Sequence, residues 1–250
     1  MTLSDDLAAS LVGVVVLAVV ATLVLALFRV PRLWEPAVAI VRGAAQLAVI
    51  SVILTGIVSS PEWIAVALVV MFTIASIVAT GRIGWSLRDF GTMSSSIAAG
   101  VVVALSIVFS TGALEFTPRY ALAIGAIIIG NSMSIATLTG RSFTRSVNDH
   151  WDEVEGWLAL GAKPRQSTIT LARGAVRDAL IPSIDQTKTT GLVVLPGAFV
   201  GAIFGGISPL EAGRFQIVVL AAIMAAGSVT AVLIALWMGD VRTRPKAVLA

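Results

Sequence analysis

Residues 141–190 read RSFTRSVNDHWDEVEGWLALGAKPRQSTITLARGAVRDALIPSIDQTKTT, a polar stretch set between apolar ones. Five apolar stretches precede it, at residues 7–28, 37–58, 63–79, 95–111 and 120–138. Two follow, at 190–207 and 215–238. Each holds 17 to 24 residues, against the roughly 20 needed to cross ~30 Å of hydrocarbon at ~1.5 Å per residue. The pattern predicts an all-α integral membrane protein: a single transmembrane domain over 1–250, about seven transmembrane helices, and two cytoplasmic amphipathic helices between the fifth and sixth.

Composition supports the class. The chain is 57% hydrophobic and 12% charged, with mean hydropathy +0.97; soluble domains carry roughly 25% charge. It has no cysteine, which removes disulfides, thiolate metal sites and cysteine nucleophiles, and its one histidine, His150, rules out multi-His zinc sites. A pI near 9.9 could suggest nucleic acid, but the basic residues are scattered along loops rather than gathered in a patch, so no nucleic-acid partner is expected. The first stretch exceeds a signal-peptide core and follows Asp5 and Asp6 rather than basic residues, so it is expected to remain as a helix.

Lys and Arg in alternate loops set the expected orientation, because cytoplasmic loops retain positive charge. One set holds Arg29, Arg32, Arg82, Arg88, Arg141, Arg145, Lys163, Arg165, Arg173, Arg177, Lys188, Arg242, Arg244 and Lys246. The other holds only Arg119 and Arg214. Fourteen against two puts the N-terminus outside and the C-terminus inside a cell (inner or plasma) membrane, with the 141–189 segment in the cytoplasm.

That segment parses into two helices. Ser146 with Asp149 fits a cap, and Val147, Trp151, Val154 and Leu158 recur at helical spacing, ending at Gly161 before Pro164. A second helix is predicted from Arg165 to Leu180, stopped by Pro182, with Ile169, Ala172, Val176 and Leu180 on one face. Arg173 and Arg177 stand one turn apart and suit an acidic partner surface. Equally, the stripes could lie on the membrane interface with the arginines toward water or lipid phosphate.

Glu155-Gly-Trp-Leu-Ala-Leu-Gly161-Ala162 resembles the EAA loop of ABC permeases, a short cytoplasmic helix that inserts into a cleft on the ATPase subunit. Gly156 and Trp157 replace its two alanines, and its later proline is replaced near Ala172 or Arg173. A broader resemblance centres on Lys188-Thr-Thr-Gly-Leu-Val-Val-Leu-Pro-Gly197 and continues through Gly201, Gly205, Pro209, Ala212 and Phe215-Gln216-Ile217. With Arg42 and Gln46, Gly130-Asn131-Ser132-Met133, Leu160-Gly161-Ala162 and Ala179-Leu180-Ile181-Pro182, it resembles the FetB-type ABC permease family, associated with iron export and, in plant relatives, with aluminium tolerance. Ala198 and Phe199 stand where that family pattern has methionines, and Phe215 where it has tyrosine.

The same residues carry a reading of their own. Gly197, Gly201 and Gly205 recur every four residues and suit close helix packing, while Pro196 suits a hinge or a path lining. Asn131, Ser132, Ser134 and Thr137 place polar groups in the fifth span, with Met133 among them; Arg42 and Gln46 do so in the second. Arg42 lies near enough to the cytoplasmic edge to snorkel. Asn131 is deeper, so it is expected to bond another helix or something in transit. No span contains Cys or His, and Arg42 is the one charge in the spans, so soft-metal ligation inside the membrane is not expected and the metal ligands stay unknown. Glu62, Glu115 and Glu211 lie in the outer loops.

Three classes of function are open. The first is the membrane permease of an ABC transporter, a homodimer in the lipid bilayer driven by a separate P-loop ATPase that binds ATP and Mg; this chain has no G-x-x-x-x-G-K-[ST] loop and would bind no cofactor itself. The second is a secondary transporter or channel, for which an internal repeat or an intramembrane acid would speak. The third is a membrane-embedded enzyme, which needs paired acids, a metal or a nucleophile with a base. The resemblance favours the first, without catalytic residues. Its expected coupling residues are Glu155, Leu160, Gly161, Ala162, Arg173 and Arg177. Its expected path residues are Arg42, Gln46, Asn131, Ser132, Met133, Ser134, Pro196 and Gly197.

Overall fold

The computed structural model describes residues 3–57 and 60–245, with side chains over 9–51 and 60–245. Among the described residues the regular structure is helical, and five helices are long and apolar enough to cross a membrane. Helices α1 (Leu3–Leu27) and α2 (Glu35–Ile57) form one unit. The second unit holds α3 (Pro61–Gly81), α4 (Leu87–Ser110), α5 (Pro118–Asp149), α6 (Trp151–Ala159), α7 (Pro164–Thr189), α8 (Gly197–Phe204) and α9 (Pro209–Met238). The five spans are α1 from Ala9, α3, α4, α5 and α9. The second predicted stretch coincides with α2, but its end at Val58, like Lys246 of the charge count, lies outside the described residues.

In the first unit, α1 closes through Val30 N donating to Leu25 O at 2.9 Å. Arg29 and Arg32 take left-handed φ of 55° and 59° in the turn to α2, a conformation that costs a non-glycine residue roughly 1–2 kcal/mol.

Cap chemistry sets the starts of the second unit's long helices. Ser60-Pro61, Thr117-Pro118 and Ser208-Pro209 open α3, α5 and α9, and proline suits the first turn because its missing N–H would be unsatisfied there. The Thr117 hydroxyl accepts from Tyr120 N and the Ser208 hydroxyl from Glu211 N, each at 3.3 Å.

Contacts fix the directions of these helices. Leu68 packs at Gly125 and Ile83 at Gly140, so α3 and α5 run parallel. Phe215 meets Tyr120 with ring centroids 5.7 Å apart and Ile135 packs at Gly227, so α9 runs with them. Met93 lies near Gly140, and Thr230 Oγ1 donates to Ser96 O at 3.3 Å, so α4 runs the other way. A Cβ on Gly100 would collide with the Ala226 carbonyl and Thr230 Oγ1, which is why α4 and α9 approach so closely. Ala79, Met93, Ile97, Ile124, Ile128, Ala226 and Ile234 fill the core between these four helices.

The polar segment departs from its predicted outline in three places. Helix α5 does not stop at 138 but runs to Asp149, because Phe143 and Val147 continue its buried row and pack with Ala172, Ala175 and Ala235. Ser146 therefore caps nothing; its carbonyl accepts from His150 N at 3.1 Å inside the last turn of α5. Helix α7 does not stop at Pro182 but runs on to Thr189 with the proline inside it. Pro182 removes one intrahelical bond, while Ala175, Ala179 and Ser183 carry the buried face past it. The predicted helix end at Gly161 holds: its φ is +90°, and Ala162 N donates to Trp157 O at 3.0 Å.

The sixth predicted span, 190–207, is not one helix. A turn with Gly191 at φ +89° leads to α8, whose 8 residues extend only about 12 Å at ~1.5 Å each. Pro196 is the N-cap of α8, so it starts a helix rather than interrupting one.

Candidate functional site

Helix α6 is held on one side and open on the other. Val154 is 1% exposed, whereas Trp157 is 52% and Leu160 83% exposed, and Glu155 and Gly161 are exposed beside them. The helix packs on α7 and α5. A nine-residue helix is too short to be stable alone, so this packing keeps its shape and leaves Glu155, Trp157 and Leu160 exposed around it. Ala162, expected among the coupling residues, is half-buried at the turn into α7.

The polar patch of α5 is bonded within its own helix. Asn131 Nδ2 donates to Ile127 O at 2.9 Å, Ser134 Oγ to Gly130 O at 3.2 Å and Thr137 Oγ1 to Met133 O at 3.0 Å. The bond expected from Asn131 to another helix is not the one formed, because the second lone pair of the helical carbonyl four residues back lies within reach of the amide. Ser132 Oγ is buried with no partner, and Ser76, Ser96 and Gln216 Oε1 share that state. Met133 packs against the core rather than into an opening. Arg42 and Gln46 are both exposed on α2 in the first unit.

A cavity of about 770 Å³ lies at the Pro118 and Pro209 ends of α5 and α9, with α8 as one wall. Arg119, Tyr120, Ile127, Ala198, Ala202, Glu211 and Phe215 line it. The glycine-rich stretch thus borders a cavity through Ala198 and Ala202, one and five residues after Gly197. Among the described residues nothing lies within 4 Å of a Cβ placed on Gly197 or Gly201, so the close approach that they permit is not used among them. Gly205 meets only carbonyls of its own turn. Sequence reasoning misses this cavity, since Arg119 counts there only as a sparse outer charge.

Helix α7 is the other feature that reading missed. Thr168, Ala172, Ala175, Ala179 and Ser183 form its buried face. Thr168 Oγ1 donates to Gly239 O at 2.9 Å, and Ser142 Oγ to Asp178 at 3.1 Å. On the opposite face Thr170, Arg173, Arg177, Ile181, Asp185 and Lys188 are exposed, and Lys188 Nζ stands 3.8 Å from Asp185. Among the described residues no group of three or more His, Cys, Asp or Glu could hold a metal ion.

Five long apolar helices, a buried core of small and branched residues, and a short helix presented at one end define a polytopic α-helical membrane protein. Residues 8–241 match the model of the family described as Uncharacterised protein family (UPF0014), and the chain belongs to that family. It is similar to the UPF0014 membrane protein STAR2 of Oryza sativa subsp. japonica, at 38% identity over 78% of this chain and 69% of that protein. It is similar also to Protein ALUMINUM SENSITIVE 3 of Arabidopsis thaliana, at 35% over 76% and 71%. A third relative is the "Probable iron export permease protein FetB" of Escherichia coli (strain K12), at 31% over 77% and 75%. No solved structure matches the chain.

Proposed function

We propose that this chain is the membrane-spanning permease of an ABC transporter, acting as a homodimer with a separate P-loop ATPase that binds ATP and Mg. The observation that carries the reading is α6. It is clamped through Val154 and presents Glu155, Trp157 and Leu160 outward, in a family where one relative is described as an iron export permease. A helix fixed on one face and exposed on the other passes a partner's movement into α5 and α7, the helices it packs on. The orientation proposed is N-terminus outside and C-terminus in the cytoplasm, with seven crossings in the cell membrane. Iron export is the cargo reading that the relative suggests, with the ion as substrate rather than resident cofactor.

The test is purification of the detergent-solubilised chain from its native membrane. A P-loop ATPase is expected to co-purify and to be lost on Leu160→Asp or Trp157→Ala, while membrane insertion persists. Replacing Glu155 or Gly161 is expected to leave ATP hydrolysis running without transport. If no ATPase accompanies the intact chain under gentle conditions, a secondary transporter or channel takes over as the reading.

A further inference from the structure

The contacts of α7 locate its charged face relative to the membrane. α7 and α9 run antiparallel: Thr168 bonds Gly239 at one end, and a Cβ on Gly227 would stand 3.5 Å from Leu180 Cδ2 further along. Ala179 packs with Ala231 and with Ile135 of α5 between those points. Five residues beyond Leu180 on α7 correspond to five before Gly227 on α9, which sets Asp185 beside the level of Ala222 and Lys188 near Val219. Ala222 lies close to the middle of α9, a 30-residue apolar helix. The outer third of α7 therefore lies at the depth of the hydrocarbon, and its ion pair is 63% and 70% exposed there, at Asp185 and Lys188 respectively.

A charged pair at that depth cannot face lipid tails; intramembrane acids and bases face a cavity, a partner or water. The same face carries Arg177 and Ile181, all opposite the buried row of Ala172, Ala175, Ala179 and Ser183. We propose that α7 is the sixth crossing, in place of 190–207, and that Ile181, Asp185 and Lys188 line a water-filled translocation path. This rests on the permease reading, since a path through the protein is what supplies the water. The turn at 190–196 and α8 then return the chain to the start of α9 beside the outer cavity.

The chain has no cysteine, so single cysteines can be read one at a time in the full-length protein in native membranes. The variants are Ile181→Cys, which keeps the ion pair, Asp185→Cys and Lys188→Cys. Val102→Cys, exposed on α4 two residues past Gly100 and so at nearly the same depth, is the lipid-facing reference. A charged methanethiosulfonate is expected to modify the α7 positions about tenfold or more faster than Val102→Cys, because hydrocarbon excludes the reagent and water does not. Rates equal to that reference at Ile181→Cys and at both pair positions would overturn the assignment. So would disulfides between two copies at Asp185→Cys together with protection from the reagent, which would mark a dry contact between copies. Labelling needs no ATPase, so its failure with an ATPase still co-purifying removes only the α7 path. Rapid labelling with no ATPase present removes the permease reading and keeps a water-filled path.

Discussion

Helices α7 and α9 are neighbours of similar length, 26 and 30 residues, and they are written in opposite chemistry. From Phe215 to Met238 α9 carries no charge, whereas α7 carries Arg165, Arg173, Arg177, Asp178, Asp185 and Lys188. Both bury small residues: Ala226, Ala231 and Ala235 on α9, and Ala172, Ala175 and Ala179 on α7. The difference is confined to the faces turned away from the core. Helix packing in a membrane selects small residues whatever lies outside, so the hydropathy of these two helices differs chiefly through their outward faces. A helix can therefore belong to the membrane core of a protein and be invisible to an apolar count.

The sharpest way to break the comparison is to move a charge onto each outward face. Ala221 is exposed near the middle of α9, and Ile181 is exposed at a similar depth on α7. Ala221→Lys is expected to cost about 2.5–3.5 kcal/mol, the apparent cost of a basic residue at the centre of a lipid-facing helix. Ile181→Lys is expected to cost under about 1 kcal/mol if its surroundings are wet. Folded yield by size exclusion after detergent extraction separates the two. Equal losses would mean that α7 and α9 meet the same medium.

The second prediction attacks the shared face. Gly100→Leu sets a side chain against the Ala226 carbonyl, where backbone cannot yield, and Ala175→Leu enlarges a fully buried residue between α7 and α5. Overpacking costs about 1–3 kcal/mol, with Gly100→Leu expected at the top of that range. Thermal midpoints in detergent should fall for both variants. A tolerated Ala175→Leu would show that α7 is less tightly packed than α9. Smaller again is Thr168→Val, which keeps shape and removes the bond to Gly239 O. A loss of about 1 kcal/mol is expected, and an unchanged midpoint would mean that the lower end of α7 is held by apolar contact alone.

Much of the fold was legible for the same reason that α7 was not. Apolar runs of spanning length placed the bodies of α1, α3, α4, α5 and α9, because those helices present apolar side chains on nearly every side. Boundaries failed where a neighbour supplied the missing partner. α5 extends to Asp149 since α7 and α9 cover Phe143 and Val147, and α7 passes Pro182 since its buried row continues beyond it. The run 190–207 looked like a span because Leu192, Val193, Leu195 and Phe204 are apolar, but Gly191, Pro196 and Gly206 impose turns on it. At the candidate site, the buried position of Val154 and the helix end at Gly161 could be read from the apolar spacing and the glycine. The internal bonding of Asn131 depends on a helical carbonyl four residues back, and the cavity at Arg119 on three helix ends meeting, which no local pattern records.

The smallest stability effect separates structure from transport at α7. Asp185 and Lys188 are 3.8 Å apart and well exposed, so Asp185→Asn should change stability by no more than about 0.5 kcal/mol, in keeping with exposed ion pairs. Its effect on transport should be much larger, because the substitution leaves Lys188 as an unbalanced positive charge in the path, near the level of Val219. Restoring neutrality with Lys188→Gln in the same chain should return part of the lost rate. A pair that only braced the helix would give the opposite ranking: a lower thermal midpoint in the single variant, unchanged transport, and no rescue by the second substitution. Measuring midpoint and transport on the same three preparations therefore decides whether the polar face of α7 exists for the cargo or for the fold.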